Sequence, residues 1–186
     1  MQSLSLVGFA AINQHGHLGK KDPPWEIPFW CREDRKIFQL TIEKRPMIMG
    51  WKTFQSMKKH KATLYPDNLW IVITHHDTWE DENVIGVRNL EKAKNICMRK
   101  RYPLAVIAGG RSLYQEVFVH SADLDGFFLT RVEVPYPDVE IDIYTKFPAS
   151  EFANWLLARD CRSEKVAAGF CSNSENPYAI TLYTPR

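Results

Sequence analysis

Apolar residues fall in short runs that alternate with segments of helical spacing. Leu4–Ile12 is nearly continuous in apolar character and predicts a strand covered on both faces. Asp34–Ile42 carries apolar residues at helical intervals, Pro46–Met49 reads as a strand, and Trp51–Met57 as a short helix. Leu69–Thr74 is a clear strand, Val84–Val87 a weaker one, and Leu90–Met98 a helix. Leu104–Ala108, Ser112–Phe118 and Leu124–Val132 continue the series as strand, helix and strand. Strand–helix alternation of this kind predicts an α/β fold in three layers, a central mostly parallel sheet with helices on both faces. The end of the chain changes character. After a helix over Ser150–Ala158, N-capped by Ser150, Lys165–Phe170 and Tyr178–Tyr183 flank the turn-rich Ser172–Pro177. That is the pattern of a C-terminal antiparallel hairpin.

The chain has 186 residues and no linker, repeat or low-complexity stretch, so a single domain over 1–186 is expected. A net charge of +2 is too small to argue for nucleic acid, and the basic run Lys58-Lys59-His60-Lys61 reads as a solvated loop. Cys31, Cys97, Cys161 and Cys171 are scattered without a C-x-x-C pair, which suggests neither a disulfide framework nor a zinc site. The first apolar run is too short to cross a bilayer and has no basic region before it. No membrane role and a cytoplasmic location are the expectations.

Candidate chemistry gathers at three glycine-marked segments. Leu18-Gly19 runs into Pro24-Trp25, Met47-Ile48-Met49-Gly50 into Lys52-Thr53-Phe54, and Val106-Ile107-Ala108 ends in Gly109-Gly110. The last two are apolar strands that end in glycine and pass at once into a helix. Such turns bring backbone N–H groups and the positive end of a helix to one sheet edge, where a phosphate binds. Between the first and second segments, Glu33-Asp34 stands in the first turn of a helix. A nucleotide cradle beside one acid suggests a reductase.

These residues, taken in order, resemble the dihydrofolate reductase family over nearly the whole chain. The matching pieces are Ala11-Ile12, Leu18-Gly19, Pro24-Trp25, Asp34 with Phe38, Pro46–Gly50, Lys52-Thr53-Phe54, Gly109-Gly110 with Leu113-Tyr114, Leu129-Thr130-Arg131, Asp142 and Phe147-Pro148. The resemblance implies the family's α/β fold and an NADPH-dependent reduction of 7,8-dihydrofolate to tetrahydrofolate, with hydride to C6 and a proton to N5. It further implies one-carbon carriers for thymidylate, purine and glycine synthesis, binding of antifolates, and a monomer.

Residue roles follow from the resemblance. Asp34 would hold the pterin by a charge-assisted pair of hydrogen bonds, with Glu33 the alternative one register away. Thr130 would bond the acid, and Trp25 would hold a water near it. Phe9, Ala11, Arg35, Phe38 and Met57 would line the substrate site. Ala11 and Leu18 would offer backbone groups to the nicotinamide carboxamide, and Asn13–Pro23, including Gly16, Gly19 and the loop residues His15 and His17, would form a mobile flap. Thr53, Gly109, Gly110, Arg111 and Ser112 would face the diphosphate, and Gly50, Trp51, Lys52, Leu113 and Tyr114 would line the rest of the cofactor site. Gly109-Gly110 match a pair joined by a cis peptide. Thr74 and His75 would meet the adenosine 2′-phosphate. Tyr114 is either close to the reacting rings or a core tyrosine with a satisfied hydroxyl.

Several positions depart from the family. A short insertion precedes the acid: Phe29-Trp30-Cys31-Arg32 intervene after Pro28, and counting back from Pro46–Gly50 brings Asp34 and Phe38 into register. Arg35 replaces an apolar residue, Trp51 a basic one, and Asn68 the arginine that meets the substrate's glutamate tail. Lysines of Lys58–Thr63 would then substitute as point charges. Two other functions stay open: a related pterin or pyrimidine reductase, such as that of riboflavin synthesis, and a non-catalytic nucleotide-binding member of the fold.

Overall fold

The computed structural model describes residues 4–22, 27, 29–58, 65, 67–76, 79–120, 124–135 and 143–186. Pro24, Trp25, Lys59, His60, Lys61 and Asp142 lie outside them. The elements in chain order begin with β1 (Ser5–Asn13), β2 (His17–Lys20), α1 (Arg32–Ile42), β3 (Met47–Gly50), α2 (Trp51–Met57), β4 (Trp70–Ile73), β5 (Glu80–Asp81) and β6 (Val84–Val87). They continue with α3 (Leu90–Arg99), β7 (Leu104–Ile107), α4 (Arg111–His120), β8 (Leu124–Val132), β9 (Tyr144–Lys146), α5 (Ala149–Ala158), β10 (Arg162–Phe170) and β11 (Pro177–Thr184).

The main sheet has strand order β10-β11-β8-β1-β7-β3-β4-β6-β5. Strands β8 to β6 are parallel, and β10, β11 and β5 are antiparallel additions at the two edges. The alternation of side chains along each strand sorts the core into two layers. Ile48, Ile71, Ala105 and Ile107 face the layer that contains residues of α3, α4 and α5. Their neighbours Met47, Met49, Trp70, Val72 and Val106 face the layer of Ile42, Ile37 and Phe38 from α1 and Phe54 from α2. These strands are buried on both faces, which is why they read as continuous apolar runs.

Three expectations change. The helix α5 begins at Ala149 after Pro148, so Ser150 lies inside its first turn and does not cap it. Proline suits such a boundary, since helices leave their first N–H groups unpaired. The segment read as a flap contains a strand, β2, paired with β9. His17 is correspondingly buried, stacked on Tyr144 at 5.1 Å, with Asn13 Nδ2 at 3.2 Å from its Nδ1. Burial, then His15 and Lys146, lower its pKa.

The strand order places β7 between β1 and β3, so the chain leaves β1 and returns to fill the gap later. Such a switch point opens a crevice at the carboxyl ends of parallel strands. Asn13, Gly50, Thr74 and Ala108 stand at or just beyond the carboxyl ends of β1, β3, β4 and β7.

Candidate active site

Asp34 stands in the first turn of α1, on the side turned to the sheet. Its Oδ1 is buried and has no hydrogen-bond partner, and Thr130 Oγ1 is likewise buried and unpartnered. Burial raises the Asp34 pKa from 3.8 to about 6, while the neighbouring Thr130 hydroxyl pulls it back. The two groups are close enough to interact but do not close a bond of ordinary geometry. Thr130 sits on β8 opposite Ala11 of β1. A buried carboxyl oxygen and a buried hydroxyl left unsatisfied are costly to the fold and suited to a polar ligand.

Rings wall this site. Phe38, one helical turn beyond Asp34, packs edge-on to Phe9 with centroids 5.0 Å apart, and Phe9 stacks on Phe128 at 5.4 Å. Met57 is half-buried against the same layer. On the other side Tyr114 donates its hydroxyl to the Phe9 carbonyl at 2.6 Å. Burial first, and then the Asp34 charge, raise the Tyr114 pKa, so it remains a protonated donor.

The glycine segments meet next to Tyr114, the ring that feels the Asp34 charge. Gly109 and Gly110 are joined by a cis peptide, and Gly50 N donates to Gly109 O at 2.7 Å. A Cβ on Gly110 would lie 3.2 Å from Thr53 Oγ1, and one on Gly50 would lie 3.7 Å from Gly110 N. Tyr114 N donates to Gly110 O, the first bond of α4, so the N–H groups of Arg111, Ser112 and Leu113 have no partner within the helix. Bare glycine backbone, a threonine hydroxyl and a helix N-terminus converge here, a donor set that fits a diphosphate.

The rim is more occupied than the sequence suggests. Trp51 packs among Phe54, His76 and Trp79, with centroids at 5.8, 4.9 and 5.7 Å. Lys52 Nζ reaches Lys21 O at 3.4 Å, and Arg111 donates to Lys146 O at 2.7 Å, tying α2 and α4 to the β2–β9 ribbon. Leu18 and Gly19 lie in β2, with Leu18 against the core. Thr74 is buried, and its Oγ1 accepts from His76 N at 3.1 Å. Arg88, which the sequence analysis gave no role, donates to the His75 carbonyl. The available signal was its position immediately after β6, at the same end of the sheet as Thr74.

Asn68 is placed elsewhere. Its Nδ2 donates to Ile42 O at 2.6 Å and Arg45 O at 2.8 Å, closing the carboxyl end of α1 from within the fold. The amide nitrogen expected to meet a substrate tail is therefore engaged with main chain. Arg35 instead lies over the Trp30 ring at 4.7 Å and against the Tyr65 hydroxyl. Together with Arg32, Lys36 and Gln39 it lines a cavity of about 620 Å³ along α1.

The dihydrofolate reductase family model matches residues 5–180. Among curated relatives, "Dihydrofolate reductase type 9" of Escherichia coli is 29% identical over 168 residues, covering 86% of this chain and 84% of that protein. The dihydrofolate reductase of Bacillus subtilis is 25% identical over 169 residues, covering 90% and 86%. Among solved structures, dihydrofolate reductase from Enterococcus faecalis complexed with NADP(H) and RAB-propyl superposes with a TM-score of 0.69 at 19% identity, covering 98% of this chain and 96% of that one. With a family match that spans the sheet, the glycine turns and the buried acid, the chain belongs to the dihydrofolate reductase family.

Proposed function

We propose that this protein reduces 7,8-dihydrofolate to 5,6,7,8-tetrahydrofolate with NADPH, as a cytoplasmic monomer supplying one-carbon carriers. The observation that carries the reading is the buried, unpartnered Oδ1 of Asp34, with the equally unpartnered hydroxyl of Thr130 as its neighbour. Among the described residues, no helix is long and apolar enough to cross a membrane.

Asp34 accepts from the N3 and 2-amino edge of the pterin, a charge-assisted pair that fixes the ring's orientation. Thr130 supports the carboxyl from β8, and Phe9 and Phe38 wall the ring and keep water from it. With a pKa of about 6, Asp34 exchanges a proton near neutrality, as delivery to N5 requires. NADPH, when bound, supplies the hydride to C6. Gly109, Gly110, Thr53 and the N–H groups of Arg111, Ser112 and Leu113 hold its diphosphate. Ala11 and Leu18 meet its carboxamide through backbone groups, and Thr74, His75 and Arg88 face its 2′-phosphate. Arg35 takes the glutamate-tail carboxylate in place of Asn68.

The test is loss of NADPH absorbance on adding dihydrofolate to purified protein, repeated with Asp34→Asn. Turnover that requires dihydrofolate and disappears in the variant supports the reading. No oxidation of NADPH by the wild-type chain would overturn it.

A further inference from the structure

Cys31 and Cys171 stand at opposite ends of the sequence, yet both are buried at one place in the fold. Cys31 immediately precedes α1, and Cys171 immediately follows β10. Their sulfurs and a carboxylate oxygen of Glu33 all lie within 4.8 Å of one another. Cys31 Sγ donates to Glu33 Oε2 at 3.5 Å, a contact that a cation would replace. Around a tetrahedral zinc ion, with about 2.3 Å to sulfur and about 2.0 Å to oxygen, two such ligands stand about 3.5 Å apart. We propose that Cys31, Cys171 and Glu33 bind a thiophilic divalent cation of the zinc class, with solvent in the fourth position.

The surroundings fit such a site. Ser172 N donates to both carboxylate oxygens of Glu33, at 3.2 Å to Oε1 and 3.3 Å to Oε2, orienting the carboxylate as partners of metal ligands do. Arg32 N donates to Asn173 Oδ1 at 2.9 Å and Asn173 Nδ2 to Trp30 O at 2.8 Å, so the two ligand-bearing segments are clamped together before any ion arrives. Val132, Val134, Phe29 and Tyr178 surround the sulfurs with apolar surface. Glu33 and Ser172 also line the cavity along α1, which gives an ion its entry path. Two soft sulfurs and one oxygen select zinc over magnesium or calcium, whose ligands are all oxygen.

Zinc takes cysteine sulfur as thiolate, so binding releases thiol protons to solvent and affinity rises with pH. The ion would staple the start of α1, which carries Asp34, to the β10–β11 hairpin.

Cobalt(II) added to reduced, chelator-treated full-length protein tests this independently of catalysis. A sulfur-to-cobalt charge-transfer band that saturates at a single equivalent, and that zinc displaces, is expected. Cys31→Ser and Cys171→Ser should abolish the band. Glu33→Gln should weaken binding by at least the ~10–100-fold that even outer partners of a site contribute. Cys161→Ser should leave it unchanged. If the serine variants do not fold, zinc should protect Cys31 and Cys171 of the wild-type chain, but not Cys161, from alkylation read by mass spectrometry. Absence of the band, its survival in Cys171→Ser, or alkylation indifferent to zinc would show that the thiols only fill space.

Discussion

Tyr114 donates its hydroxyl to the main-chain carbonyl of Phe9 at 2.6 Å, and this bond sits where two central strands part. The register of β1 with β7 ends at Gly8–Ile107, so Tyr114 takes up a β1 carbonyl just beyond the ladder. Tyr114→Phe leaves that carbonyl buried and unpaired. A loss of about 1–3 kcal/mol in urea unfolding is expected, with a smaller effect on turnover than any change at Asp34.

Asp34→Asn should reduce turnover by about 10²–10⁴, the usual range for a positioned acid–base group, while NADPH binding measured by fluorescence stays nearly intact. Glu33→Gln should remain active in the same assay, because its carboxylate faces Ser172 and Cys31 rather than Thr130. An inactive Glu33→Gln beside an active Asp34→Asn would reverse the assignment.

The Asp34 carboxyl binds its proton more tightly in the folded chain, since its pKa rises from 3.8 to about 6. Stability is therefore greatest below the unfolded value, falls as pH climbs through the folded one, and then levels off. At about 1.4 kcal/mol per pH unit this group removes about 3 kcal/mol between those limits. Urea unfolding across that window, with chelator and reductant present, should show the fall in wild type and lose it in Asp34→Asn. In the same buffers kcat/KM should decline above about pH 6, as the proton that N5 must receive becomes scarcer at the site.

The two glycines of the cradle should respond differently to alanine. Gly109 has φ +114°, and a Cβ there would lie 3.1 Å from the Tyr114 hydroxyl and 3.3 Å from Thr53 Oγ1. Gly109→Ala should cost about 1–3 kcal/mol from backbone strain alone and weaken NADPH binding. Gly110 lies outside the left-handed region and would meet only Thr53 Oγ1, so Gly110→Ala should be milder in thermal denaturation. Equal melting temperatures for the two variants would contradict this.

Asn68→Ala should destabilise the chain by about 1–3 kcal/mol, because the carbonyls of Ile42 and Arg45 lose a buried donor. Asn68→Arg should not tighten glutamate-bearing ligands. Arg35→Leu should weaken those ligands by about 1.5–3 kcal/mol and spare inhibitors that lack the tail, read by competition binding. Equal losses for both ligand types would confine Arg35 to its packing on Trp30 and Tyr65.

The sequence by itself determined the layered α/β architecture, because strands covered on both faces must be written as unbroken apolar runs and glycine turns punctuate their ends. Met47–Gly50, Leu104–Ile107 and Leu124–Val132 were legible for that reason, as was the meeting of Gly50 with Gly109. Asp34 stood out as the candidate acid only through the register set by Pro46–Gly50, since an acid in a first helical turn is ordinarily a surface residue. Tertiary structure alone decided the rest. A lone polar residue does not say which way it points, so Asn68 closing α1 and Arg88 donating to His75 were invisible in one dimension. β2 was hidden because its partner, β9, lies more than a hundred positions away, and so short a strand carries little pattern of its own. The adjacency of Cys31, Glu33 and Cys171 likewise depends on how α1 and the C-terminal hairpin fold against β8, a relation that no local spacing encodes.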